Sequence, residues 1–171
     1  LFAGHSLPLS PSKLDQLIQR KGVYYFRAIA ERNVLFSDAV TAVKTAAQLC
    51  PLAIASGARR EEIIHILKQV HIERSFSAVI AAEDVKFGKP HPEPFLRAYE
   101  KLRDCDASLS VSDCVGIEDS IGGIESAHEA GMRCLAIAHS YGPERLKAAR
   151  PEWVINSIAD FVSWLEKEVV K

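Results

Sequence analysis

The sequence predicts an open α/β fold, a parallel sheet with helices on both faces. Two observations predict it. Short apolar runs ("LAIAS", "FSAVIAA", "CVGI", "RCLAIA", "WVIN") alternate with amphipathic segments of helical period. The runs are apolar throughout instead of alternating with polar residues, as strands buried on both faces are. No internal repeat or low-complexity tract argues for a solenoid or a linker.

The elements follow in order. Residues 12–32 read as helix, with Leu14, Leu17, Ile18, Tyr25 and Ile29 near one face, and Gly22 is expected to split the segment in two. A second helix runs from about Asp38 to Leu49, ended by Pro51, and "LAIAS" at 52–56 follows as a buried strand. "REEIIHILKQV" is amphipathic through Ile63, Ile64, Leu67 and Val70. "FSAVIAA" is a strand; "PEPFLRAYEKL" is a helix with proline in its first turn and Phe95, Leu96, Tyr99 and Leu102 on one side.

"CVGI" is the next strand, and "SIGGIESAHEAG" a helix capped at its end by Gly131. "RCLAIA" is a strand, "PERLKAA" a short helix, "WVIN" a short strand and "IADFVSWLEKEVV" a closing helix. Residues 1–33 are helical only and form a separate small piece; residues 34–171 form the α/β part.

Composition narrows the function classes. The chain has 171 residues, 48% hydrophobic and 25% charged, with a net charge of −1. That is an ordinary globule, and its charge balance points to neither nucleic acid nor an anionic membrane. No apolar run approaches the ~20 residues that span a bilayer. "LFAGHSLPLS" lacks the basic start of a signal peptide. Cys50, Cys105, Cys114 and Cys134 form no CxxC pair and read as buried free thiols of a cytoplasmic protein. The chain opens on Leu1 and its only methionine is Met132, which reads as a piece of something longer.

In open α/β sheets ligands bind at the carboxyl ends of strands. The polar residues there are Ser56-Gly57, the loop "EDVKFGKPHP", Glu118-Asp119-Ser120 and His139-Ser140. Ser56 offers a hydroxyl and Gly57 allows close approach to the backbone, just before a helix whose first N–H groups favour an anion. Taken alone, a Ser-Gly pair is more commonly just an ordinary turn. Lys89 is flanked by Gly88 and Pro90, so its ammonium is a fixed point charge suited to phosphate, although a single loop lysine is more commonly just solvated. His91 has no partner at metal-ligand spacing. Glu118 and Asp119 are adjacent hard-oxygen ligands of the type Mg²⁺ takes, or Asp119 or Ser120 simply caps the next helix. A hydroxyl, a fixed lysine and a carboxylate pair at successive strand ends together suit phosphate and magnesium.

"IASGA", "KFGKPHPEPF" and "GIEDSIGGIESAHEAGM", in that order, resemble the haloacid dehalogenase superfamily, in particular its β-phosphoglucomutase-like and phosphoglycolate-phosphatase-like branch. The resemblance implies a three-layer, Rossmann-like core, with "LDQLIQRKGVYYFRAIAE" as the closing helices of a helical cap. It implies that Ser56 hydrogen-bonds the transferring phosphoryl group, with the N–H groups of Gly57 and Ala58 nearby. It implies that Lys89 neutralises charge on phosphate and nucleophile, that Asp119 binds Mg²⁺ and that Glu118 binds or orients the ion's shell. The implied reaction is phosphoryl transfer from a small phosphorylated metabolite through an aspartyl-phosphate, as a phosphatase or a phosphomutase.

The family's first motif, Asp-x-Asp-Gly-Thr after an apolar strand, has no match, and many relatives have Pro-Gly where this chain has Ser37-Asp38. The missing first strand is central in the family's sheet. The strands present are therefore expected to flank a slot, to be filled by an N-terminal segment absent from this chain, by "LFAGHSLPL" or by a second chain. Without the nucleophile the chain alone is expected to be inactive, and a non-catalytic binding domain is the rival reading.

Overall fold

The computed structural model describes residues 10–31 and 38–168. The segment "LFAGHSLPL" and Ser37 lie outside the described residues, as do the side chains of Tyr25 and Ile29. The chain divides into two compact units, Leu1–Leu35 and Phe36–Lys171.

In the first unit, α1 (Pro11–Glu31) is a single helix that runs through Gly22. The expected split does not occur: glycine in a helix interior costs only about 1 kcal/mol relative to alanine and does not by itself interrupt the hydrogen-bond ladder.

The second unit is an α/β domain. Its elements are α2 (Ala39–Ala47), β1 (Ala53–Ala55), α3 (Arg60–Gln69), β2 (Ala78–Ile80), α4 (Glu93–Arg103), β3 (Val115–Glu118), α5 (Ile121–Glu129), β4 (Arg133–Ile137), α6 (Pro143–Lys147), β5 (Trp153–Ile155) and α7 (Phe161–Glu168). All pairings are parallel, as the unbroken apolar runs predict. Ala53 pairs with Ala78 in one block, and Gly116 with Cys134 and Leu135 with Trp153 in the other. Among the described residues the strands form two hydrogen-bonded blocks, β1-β2 and β3-β4-β5, with no ladder between β1 and β3.

Helices cover both faces. Phe95 of α4, Ile124 and Ala127 of α5 and Leu146 of α6 form one core with Cys134 and Ala136 of β4. Ala42 and Ala46 of α2 pack with Trp164 and Leu165 of α7 against Leu135 on the other face. Ile63 and Leu67 of α3 join Val40 and Val43 of α2 over Ile54 and Val79. The result is a three-layer domain.

Burial follows the break in the sheet. β4 lies between two strands and its Cys134, Leu135 and Ala136 are fully buried. β1 is only half-buried along its length, and Ile117 of β3 is 45% exposed. Two further expectations fail. Leu96 points to solvent, because the buried stripe of α4 passes through Pro94, Phe95 and Ala98. Of the four free thiols only Cys134 is buried; Cys105 is exposed in the turn after α4, and Cys50 and Cys114 are half-buried.

Candidate active site

The carboxyl ends of β1 and β3 are joined by a side chain from neither strand. Lys89 stands in the loop before α4, and its Nζ donates to the carbonyl of Ala55, the last residue of β1, at 2.8 Å. The same ammonium forms an ion pair with Glu118 Oε1, at the end of β3, and lies 4.6 Å from the centroid of the Phe95 ring. A lysine head group has three N–H donors. Two are engaged among the described residues, and the third remains for an oxyanion.

The loop that carries Lys89 is held from both ends. The Glu93 carboxylate, in the first turn of α4, accepts from the backbone N–H groups of Lys86 and Phe87 at 2.9–3.1 Å and from Arg97. Those two N–H groups, then Arg97, hold its carboxyl well below the ordinary range, at about 2. At the other end, the fully buried Ser126 of α5 donates from its hydroxyl to the carbonyl of His91 at 2.7 Å. The His91 ring lies over Phe87, and its Nδ1 accepts from the backbone of Glu93 at 3.2 Å. His91 is thus part of the loop's scaffold, and no group of three His, Cys, Asp or Glu among the described residues is arranged to hold a metal.

Ser56 follows β1 directly. Its backbone N–H donates to Ile80, continuing the β1-β2 ladder, and its Oγ accepts from the N–H of Ala58 at 3.1 Å. A hydroxyl that accepts in this way keeps its proton to donate outward. The Ala58 N–H, expected to face a phosphate, is turned onto Ser56 instead. The space over Gly57 is open: a Cβ there would meet no atom within 4 Å.

The two adjacent carboxylates go different ways. Ser120, not Asp119, caps α5, with its Oγ accepting from the N–H of Gly123 at 3.0 Å. Glu118 is buried at 8% exposure and turns inward to Lys89 and to the Ser120 hydroxyl. Asp119 is half-buried, faces the open end of the sheet and accepts a hydrogen bond from the Ser140 hydroxyl after β4.

Asp119, Lys89 and Glu118 border a cavity of about 520 Å³ floored by Ile117 and Ile137. Asp38, at the start of α2, and His139 and Asn156, after β4 and β5, complete its rim. Asp38 and Asn156 were not singled out as site residues from the sequence. The strand-end rule finds Asn156, whereas Asp38 reaches the site from a helix start and leaves no such signal. The Asp-x-Asp spacing at Asp104 and Asp106 lies outside the site, in the turn between α4 and β3, where Asp106 accepts from Ser108.

The chain has counterparts among known proteins. The model of the haloacid dehalogenase-like hydrolases matches residues 9–131. The chain belongs to this family. It is 31% identical over 130 residues to the chloroplastic 5-amino-6-(5-phospho-D-ribitylamino)uracil phosphatase of Arabidopsis thaliana, over 75% of this chain and 31% of that protein. It is 26% identical over 153 residues to the phosphoglycolate phosphatase of Pectobacterium atrosepticum, over 88% of this chain and 63% of that one. The match thus spans less than two thirds of either relative. In fold, the β-phosphoglucomutase of Clostridium difficile superposes with a TM-score of 0.80 at 21% identity, covering 99% of this chain and 72% of that one. The chain accordingly joins the haloacid dehalogenase-like hydrolases in family and β-phosphoglucomutase in fold, with the three-layer core that the motifs imply.

Proposed function

We propose that this chain is the phosphate- and magnesium-binding part of a phosphohydrolase acting on a small phosphorylated metabolite. The observation that carries the reading is the placement of Lys89, whose ammonium is fixed between the ends of β1 and β3 with one donor to spare. A phosphoryl group seated there would meet the Lys89 ammonium and the Ser56 hydroxyl, with Gly57 leaving room for its oxygens. Charge-assisted hydrogen bonds of this kind do most of the work in phosphoryl transfer, where the transition state spreads charge over the equatorial oxygens. The relatives named phosphatases support the choice of a phosphate ester as substrate.

Asp119 suits Mg²⁺. It is a hard oxygen donor at the mouth of the cavity, and one of its oxygens is oriented by Ser140. Mg²⁺ commonly takes one or two carboxylates and completes its shell with water and substrate oxygens, so a three-residue cluster is not required. When bound, the ion would neutralise phosphate charge.

The nucleophilic carboxylate is the missing part. We place it on an extended segment that pairs in the break between β1 and β3 and is not among these 171 residues, a second chain being one source, because the stretches outside the described residues hold no Asp or Glu. The support is the pair of half-exposed strands on either side of the break, whose backbone groups lack a ladder there. With such a strand present, carboxylate attack on the phosphoryl group would break its bond to the substrate oxygen, releasing the protonated alcohol and giving an aspartyl-phosphate, which water would cleave to inorganic phosphate and the free carboxylate. The 171 residues alone bind phosphate but do not turn over. With its four free thiols the protein suits a reducing compartment, the cytoplasm.

The test is a titration of the chain with inorganic phosphate and Mg²⁺, followed by amide shifts and a phosphomonoesterase assay. The expected result is saturable shifts at Ser56, Gly57 and Lys89 for phosphate and at Asp119 for Mg²⁺, without phosphate release. No shifts at these residues would refute the binding site. Mg²⁺-dependent phosphate release that is lost in Lys89→Met would refute the need for a further strand.

A further inference from the structure

We infer that Ser120 and Gly123 are positioning residues that seat the Glu118 carboxylate and, through it, set the place of the Lys89 ammonium. The proposal rests on the reading of Lys89 as the phosphate-binding lysine. It assigns Glu118 to that lysine and leaves Asp119 as the carboxylate open to a cation.

The geometry of the seat is specific. Glu118 Oε1 pairs with Lys89, and Oε2 accepts from the Ser120 hydroxyl at 3.2 Å. That hydroxyl is oriented from its other side, because its oxygen accepts from the Gly123 N–H at 3.0 Å. Donor and acceptor roles of Ser120 are therefore both set, and its proton points at Glu118. The carboxylate lies flat on the first turn of α5. A Cβ on Gly123 would stand 1.9 Å from Oε2, 2.0 Å from Cδ and 2.5 Å from Oε1. No L-residue fits there without expelling the carboxylate, and the atoms at risk are those that hold Lys89. The amino end of α5 also favours a negative charge at this point.

The consequence is a division of labour between neighbours. Both Glu118 oxygens are engaged inside the protein, and the side chain is buried. Asp119 has one oxygen on Ser140 and faces the cavity. The Ser-x-x-Gly spacing from 120 to 123 therefore does more than cap a helix: the cap hydroxyl and the missing Cβ hold the charge that aims the lysine.

The experiment is competitive acylation of lysines by an amine-reactive ester, read by peptide mass spectrometry, on the full chain without metal or phosphate. Lys101 and Lys147 have side chains 60% and 57% exposed and serve as internal references. In the wild type, Lys89 should react more slowly than both. Ser120→Ala should raise the Lys89 rate about tenfold or more, the effect of losing one hydrogen bond to a charged group. Gly123→Ala should raise it further, and Ser120→Thr should restore the wild-type rate. The reference rates should stay constant throughout. Circular dichroism checks that each variant is folded, and Ser120→Ala keeps the test decisive if Gly123→Ala does not fold. An unchanged Lys89 rate in Ser120→Ala, or a rise shared equally by Lys101 and Lys147, overturns the proposal. The phosphate reading is tested separately in the wild type: it fails if millimolar inorganic phosphate does not slow acylation of Lys89, whatever the variants show.

Discussion

The Lys89 ammonium donates to the Ala55 carbonyl at 2.8 Å, from a loop 34 residues further along the chain. This bond ties the lysine loop to the end of β1, and the ion pair to Glu118 ties it to the end of β3. One side chain thus bridges two strand blocks that share no ladder. Its removal should have two separable effects.

Lys89→Met should abolish phosphate-induced shifts at Ser56 and Gly57. It should also destabilise the domain by about 2 kcal/mol, because Glu118 is left buried with only a neutral hydroxyl as partner. The figure is below that for a fully buried pair, since the Lys89 side chain is 23% exposed. Adding Glu118→Gln removes the unpaired charge and should recover most of the stability without recovering phosphate binding. Urea denaturation of the single and double variants checks this. Equal stability of Lys89→Met and wild type would show that the pair contributes nothing.

Gly116→Ala should destabilise the domain by about 1–3 kcal/mol through overpacking. A Cβ at Gly116 would lie 2.8 Å from Cβ of Ala127 and 3.4 Å from the Phe95 ring. The first contact is with an atom fixed to the backbone of α5, so the helix itself would have to shift. Because α5 begins at the Glu118 seat, Gly116→Ala should also speed acylation of Lys89. A melting temperature equal to that of wild type would contradict the close approach of β3 and α5.

Much of this was legible in the sequence, and the failures have physical causes. "CVGI" and "RCLAIA" announced parallel strands, of which only the second is fully buried at its centre, and Gly131 announced the end of α5 because it takes φ of +82°, which a side chain resists. Ser56, Lys89, Glu118 and Asp119 were singled out from the strand ends they follow, and the fold brings Lys89 onto Glu118. What the pattern could not give was direction. Two adjacent carboxylates look alike in a sequence, and only the fold shows Glu118 turned inward and Asp119 outward. The same holds for Leu96, whose apolar character said nothing of which side of α4 it occupies. Asp38 joined the rim from a helix start, which no strand-end rule reaches.

The loop that carries Lys89 should keep its order far into acid. Glu93 has its carboxyl lowered from 4.5 to about 2, first by the Lys86 and Phe87 N–H groups and then by Arg97. A carboxyl depressed in the folded state contributes stability that is fully present above its unfolded value. That contribution is lost as pH falls through the folded value. The amide signals of Lys86 and Phe87 should therefore hold constant from pH 7 to about 4.5 and move with a midpoint near 2. Glu93→Gln should remove that transition. A midpoint near 4.5 would mean that the two N–H bonds do not persist in solution.

The thiols should separate by burial rather than by number. Cys134 is pushed up to about 12, chiefly by burial and further by Glu118 and Glu152. At pH 8 its thiolate fraction would be about one in ten thousand, and the thiolate is the reactive form. Cys105 is exposed. Burial raises Cys50, as it does Cys114, where Asp113 adds to the effect. A disulfide-exchange reagent at pH 8 should therefore modify Cys105 first, Cys50 and Cys114 more slowly, and Cys134 only as the domain unfolds. Adding urea should bring the rate at Cys134 up to that of Cys105 at the same concentration at which the domain loses its circular dichroism. Early modification of Cys134 in the folded protein would mean that β4 opens locally, and would contradict its place as the buried middle strand of its block.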